Sequence, residues 1–171
     1  GIDLMPCNID LSGVDVSLVN AMSREFVLKT YMESVREHYD YILIEASGVC
    51  EPMPIAQELE LIRNGYLDNV VGVVDASRLV DEFASGEKLL KKDEIAEEDI
   101  ESLLVQQIEF CSTLVINKKD LVSPEELKKV RMVVDALHPG AKVIETSQGD
   151  VAVKDILNTN SFDFEAVFNS A

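Results

Sequence analysis

STLVINKKDLVSPEELKKVRMVVDALHPGAKVIETS, residues 112–147, contains a complete strand–helix–strand unit. Its opening STLVIN (112–117) is a short run of β-branched and apolar residues, the mark of a buried strand. Ser123 then stands as an N-cap, Pro124 at the first helical position and Glu126 at the capping-box position, with Pro139-Gly140 as the stop. AKVIETS (141–147) reads as the returning strand. Two strands joined through a helix pair in parallel, because a parallel partner needs a long crossover.

The same alternation extends outward. Upstream, NVVGVVDA (69–76) is a second buried strand, SRLVDEFA starts a helix after it, and 95–110 reads as another helix. YDYILIEASG (39–48) carries a dense Tyr-Ile-Leu-Ile core and is expected to be a buried strand running into a small-residue turn. Before it, SREFVLKTYMESVREH places Phe26, Val27, Tyr31, Ser34 and Val35 on one helical face, with Ser23 as N-cap. Residues 2–5 form a brief candidate strand closed by Pro6, a short helix is expected near 151–157, and a polar tail follows Thr159. Alternating β and α segments of these lengths predict an α/β fold, a parallel sheet covered by helices on both faces.

Composition narrows the function classes. The 171 residues carry 15 basic and 32 acidic side chains, a net charge of −17, with 47% apolar content. That much apolar material is unlike a disordered chain, and the length suits one domain. Strong acidity opposes nucleic-acid or anionic-membrane binding, since both are polyanions. Cys7, Cys50 and Cys111 are scattered and odd in number, so neither a disulfide framework nor a C-x-x-C zinc site is expected. With no signal-like start and no apolar run near the roughly 18 residues a membrane helix needs, a cytoplasmic setting is expected. Residues 81–101 concentrate nine acids against three lysines. A solvated helix face accounts for them, a docking surface for a basic partner being the alternative.

In such sheets ligands lie at the C-terminal ends of the strands, and three of these ends carry unusual residues. Glu45 closes the ILIEASG segment, with Gly48 in the following turn. An acid there can hold hydrated Mg²⁺ and a glycine amide can approach a phosphate closely, although helix capping or a lysine pair would use the same acid. Asn117, Lys118 and Asp120 follow the 112–117 strand as Asn-Lys-x-Asp. An aspartate so placed can accept two hydrogen bonds from guanine N1–H and its 2-amine, while adenine leaves the site unpaired. Asn117 can tie neighbouring loops together and the Lys118 stem can lie along the base. Thr146 and Ser147, one β-α unit later, suit backbone contacts to the guanine carbonyl or a plain turn. No G-x-x-x-x-G-K-[ST] occurs in the 171 residues, so the amide cradle, lysine and Mg²⁺-binding hydroxyl of that loop are missing from them. Weak nucleotide binding is expected of the chain as given.

From residue 41 onward the sequence resembles CobW-type GTPases (the CobW/HypB/UreG-like P-loop proteins), a family of metal chaperones. The resemblance rests on IEASGVCEPMPIAQ, VVDASRLVDEF, DIESLLVQQIEFC, INKKDLVSPEEL and NTNSFDFEAVFNSA. It implies a three-layer parallel sheet of the P-loop NTPase type, here without the P-loop strand, and GTP with Mg²⁺ as cofactors. It also implies Glu45 and Gly48 in a Walker B/switch II role, Glu45 reaching Mg²⁺ through water, and Asn117, Lys118 and Asp120 in guanine selection. Zinc or cobalt delivery to a metalloprotein client is the implied purpose, with no nucleic acid or membrane partner. The family's Cys-x-Cys-Cys motif is not reproduced by Cys7, Cys50 and Cys111. Residues 1–44 are instead similar to ParA/Soj partitioning ATPases.

These resemblances lead to one incomplete nucleotide-binding domain, 41–160 being its GTPase-like part and 161–171 the start of a linker. Without the P-loop strand, the 69–76 and 112–117 strands are expected to lose a neighbour. A partitioning ATPase and a catalytically silent acidic interaction module remain the alternative functions.

Overall fold

The computed structural model describes residues 33–46, 48, 51–60, 65–91, 95–96 and 99–165. The candidate strand at 2–5, most of the 23–38 helix, and Cys7 and Cys50 lie outside them. The chain divides into two compact units: Gly1–Ile44 with Gln57–Gly65, and Glu45–Ala56 with Tyr66–Ala171.

In the first unit the 23–38 helix is seen only at its end, helical through residues 33–35 and tightening to a 3-10 turn over Arg36–His38. The expected buried strand at 39–48 is not found. Residues 41–46 have no strand assignment, and Tyr41, Ile42, Leu43 and Ile44 are exposed, Leu43 by 72%. Apolar content and β-branching fit a segment for a sheet, but a strand exists only where a ladder partner takes up its N–H and C=O groups. The three-stranded sheet of the described residues does not include it.

The second unit is built on that sheet. Strands β1 (Val71–Asp75), β2 (Thr113–Asn117) and β3 (Lys142–Glu145) run parallel in the order β1-β2-β3. Val71 faces Thr113 and Asp75 faces Asn117; Thr113 faces Lys142 and Ile116 faces Glu145. The expectation that 112–117 loses a neighbour therefore fails, because β2 is paired on both sides. Four of its five residues are buried, as its unbroken apolar run requires. β1 has one partner in this sheet, and its Val73 is 67% exposed.

Four α-helices are described: α1 (Pro52–Glu60), α2 (Ala76–Phe83), α3 (Ile100–Phe110) and α4 (Pro124–Leu137). α1 is absent from the sequence reading, and it opens with Pro52 and Pro54. Both sit in the first turn, where backbone N–H groups have no helical partner to lose. The α4 cap forms as read: Glu126 N–H donates to Ser123 Oγ at 3.3 Å, and Ser123 N–H to Glu126 Oε2 at 2.8 Å. α3 begins five residues later than expected, at Ile100, and the helix expected near 151–157 is a single 3-10 turn, Val153–Asp155.

The core lies on the sheet face bearing Val74, Leu114 and Ile116. Leu79 and Phe83 of α2, Val105 and Ile108 of α3, and Val130, Val133, Val134 and Leu137 of α4 pack there, with Leu89 between them. Gly72 leaves room for the side chains of Leu114 on β2 and of Cys111 just after α3, since a Cβ there would stand 2.9 Å from Leu114 and 3.2 Å from the Cys111 sulfur. α2 ends in three successive left-handed residues, Ala84, Ser85 and Gly86, and Gly86 lies against Val133, where a Cβ would come within 2.8 Å. Only glycine meets both demands there.

The polar tail after Thr159 is fastened rather than free at its start. Asp68, just ahead of β1, accepts the amides of Thr159 at 3.2 Å and Asn160 at 2.6 Å on its carboxylate, and those of Ser161 and Phe162 on its carbonyl. Left-handed Asn158 and Asn160 turn these amides inward, and the Phe162 ring packs tilted against Phe110 with centroids 5.6 Å apart. No described helix is long and apolar enough to cross a membrane.

Candidate functional site

The C-terminal ends of the three strands bring Asp75, Asn117 and Glu145 to one rim of the sheet. Asn117 is held by its place at the end of a buried strand, and its Oδ1 accepts the Gly149 amide at 3.1 Å. That bond ties the β2 loop to the β3 loop. Lys119 reinforces it, its amide donating to the Thr146 carbonyl and its Nζ to the Glu145 carbonyl, both at 3.2 Å. Thr146 is buried: its N–H continues the ladder to Ile116 O at 2.9 Å, and its hydroxyl donates to Asp150 O at 2.7 Å, closing the 146–150 turn. Ser147 follows on the surface side of that turn, half-buried.

Lys118 has a left-handed backbone, φ 60°, at the start of the Lys119–Leu121 3-10 turn that carries Asp120. For a lysine this conformation is uncommon and is kept by the bonds on either side. The Asp120 side chain is exposed, and among the described residues no donor engages its carboxylate. Its acceptors are open on both oxygens, which fits a ligand that offers two N–H groups.

Asp75, which the sequence reading passes over, is the most strongly perturbed carboxyl of this rim. Burial alone would raise it, but hydrogen bonds from Lys118, Ser77 and the Arg78 amide, with the Lys118 charge, hold it down at about 2. Lys118 Nζ lies 2.6 Å from Asp75 Oδ2, while Ser77 Oγ, at 2.7 Å, and Arg78 N, at 3.2 Å, donate to Oδ1. A signal was present in VVDAS, where an aspartate between a strand and a helix is an N-cap.

Glu45 and Gly48 stand apart from this set. Glu45 is exposed and lies on no strand, contrary to its expected place at a strand end. Gly48 is exposed in a turn, its carbonyl accepts from Gln107 Nε2 at 3.1 Å, and open space surrounds the position of a Cβ. Among the described residues no hydrogen bond or ion pair links either to Asn117, Lys118, Asp120 or Thr146.

Cys111 is buried, its thiol pushed up to about 11 by that burial. His138 Nε2–H donates at 2.8 Å to the Cys111 carbonyl, not to the sulfur. Among the described residues no group of three or more His, Cys, Asp or Glu could hold a metal ion.

Over residues 6–145 the chain matches the CobW/HypB/UreG nucleotide-binding domain. It belongs to that family. The match begins at residue 6, so it takes in most of the segment similar to ParA/Soj proteins. The CobW/HypB/UreG chain is 32% identical over 157 residues to zinc-regulated GTPase metalloprotein activator 1 of Dictyostelium discoideum, covering 84% of this chain and 33% of that protein. It is 31% identical over 136 residues to the protein of that name from Schizosaccharomyces pombe, covering 77% and 30%. The chain thus spans about a third of the length of these relatives. A shorter match, 43% identical over 44 residues, is to the sporulation initiation inhibitor protein Soj of Bacillus subtilis, covering 26% of this chain and 17% of Soj. No solved structure matches it.

Proposed function

We propose that this CobW/HypB/UreG domain binds a guanine nucleotide through the rim formed by the β2 and β3 loops. The observation that carries the reading is the clamp from Asn117 Oδ1 to Gly149 N, which fixes the Asp120 turn beside the Thr146 turn while the Asp120 carboxylate stays open. Asp120 accepts from N1–H and the 2-amine of guanine, and adenine, offering neither, leaves that carboxylate unpaired. Asn117 and Lys118 shape the pocket, and the Thr146–Ser147 backbone faces the base carbonyl. Glu45 serves Mg²⁺ through water and the Gly48 amide serves the terminal phosphate. Bound GTP with Mg²⁺ supplies the phosphoryl chemistry.

This domain acts in metalloprotein activation, with a zinc- or cobalt-requiring client as partner. The family membership and the names of the relatives support that role. Within these 171 residues no G-x-x-x-x-G-K-[ST] is present, so base contacts carry most of the affinity and hydrolysis by this chain alone is negligible.

Isothermal titration of the chain with GTP and with ATP, each with Mg²⁺, tests the base assignment. A preference for GTP that disappears in Asp120→Ala is expected; a preference for ATP overturns it.

A further inference from the structure

We infer that Asp75 is a positioning residue for the base pocket: its carboxylate grips the Lys118 ammonium and so fixes the lysine stem along which the guanine ring lies. The inference rests on the guanine reading of the β2 loop and adds a residue from a different strand to it.

The geometry gives each Asp75 oxygen a separate task. Oδ1 accepts from Ser77 Oγ and Arg78 N, which caps α2 and locks the carboxylate rotamer. Oδ2 takes the Lys118 ammonium at 2.6 Å. Asp75 faces Asn117 across the β1–β2 pair, and cross-strand neighbours project from the same face of a sheet. Lys118 is thereby held at both ends, by its left-handed backbone and by its tip. A lysine stem is flexible, and immobilising it before the ligand arrives removes an ordering penalty from binding. The pairing has a second effect. It neutralises the ammonium beside an uncharged base, leaving the apolar methylenes as the surface the ring meets. The Asp75 carboxyl stays ionised at any neutral pH, so the grip does not depend on conditions.

The test uses the 171-residue chain, with GDP and ADP as probes in NMR titrations. Asp75→Asn is the informative variant, because asparagine caps a helix as well as aspartate and only the charge on Oδ2 is lost. The expected result is a roughly 3–10-fold drop in the GDP-over-ADP preference, with faster acylation of Lys118 and a thermal midpoint lowered by only a few degrees. Asp75→Glu keeps the charge, so it retains more of the preference than Asp75→Asn. A cap alone would not show that rescue.

A GDP preference that survives Asp75→Asn while Lys118 labels freely overturns the positioning role and leaves the guanine reading intact. Equal loss in Asp75→Asn and Asp75→Glu overturns it too; should Asp75→Asn fold poorly, Asp75→Glu alone carries the test, and full loss of the GDP preference in that variant overturns the role. A wild-type chain with no GDP preference, unchanged by Asp120→Ala, overturns the guanine reading itself and the positioning role with it.

Discussion

Two strand-like apolar runs behave in opposite ways. STLVIN, 112–117, becomes the buried centre of a sheet, and YILIEA, 41–46, has no strand assignment and exposes its apolar side chains. Their compositions are close, so propensity does not separate them; β2 has a parallel partner on each side. Each run leads to candidate site residues, and the contrast carries over. The loop after β2 is tied by side chain and backbone to the loop after β3, whereas Glu45 has no described bond to that set. Site geometry follows from ladder pairing before it follows from motif.

The sharpest way to break this comparison is to truncate one leucine in each run. Leu114→Ala, at a fully buried site in β2, should cost about 2–5 kcal/mol and lower the urea midpoint accordingly. Leu43→Ala, at an exposed site, should change stability by no more than about 0.5 kcal/mol. Equal effects would mean that the 41–46 run is buried as deeply as β2.

A smaller effect probes the loop tie. Asn117→Ala leaves the Gly149 amide without its acceptor and should cost about 1 kcal/mol. Hydrogen exchange at Gly149 should speed up while exchange at Leu114 follows global stability alone. Unchanged exchange at Gly149 would show that the backbone bonds of Lys119 suffice.

An effect of similar size comes from pH. The Asp75 carboxyl is held at about 2 in the fold, below the unfolded value near 4, so its contribution is present above pH ~4 and fades as pH falls toward 2. Its side chain is 28% exposed and that of Lys118 49%, so solvent screening limits the effect to about 1 kcal/mol. Wild type should exceed Asp75→Asn by that amount at pH 5 in urea unfolding, and the gap should close near pH 2. A gap independent of pH would place the stabilisation elsewhere.

The 112–147 unit was legible from sequence because every signal in it is local. Ser123, Pro124 and Glu126 act within one helical turn, and the apolar run of β2 does form a buried strand. Asn117, Lys118, Asp120, Thr146 and Ser147 could be placed at strand ends for the same reason. Asp75 was not, because its role depends on Lys118, 43 positions away in the loop after another strand. The exposure of 41–46 was hidden likewise, since a strand needs partners that its own residues do not specify. α1 went unread; its Pro52 and Pro54 would break a helix interior but are harmless in a first turn.

The clasp at Asp68 has a kinetic consequence. Its carboxylate and carbonyl hold amides some 90 positions later in the chain, among the most distant pairings in the second unit. Closing so long a loop is entropically demanding, while the α4 turn and the β2–α4–β3 crossover join nearer residues. The clasp is therefore expected to close after the sheet has assembled and to open before it melts, so the bonded amides of 159–162 should exchange with solvent sooner than those of β2.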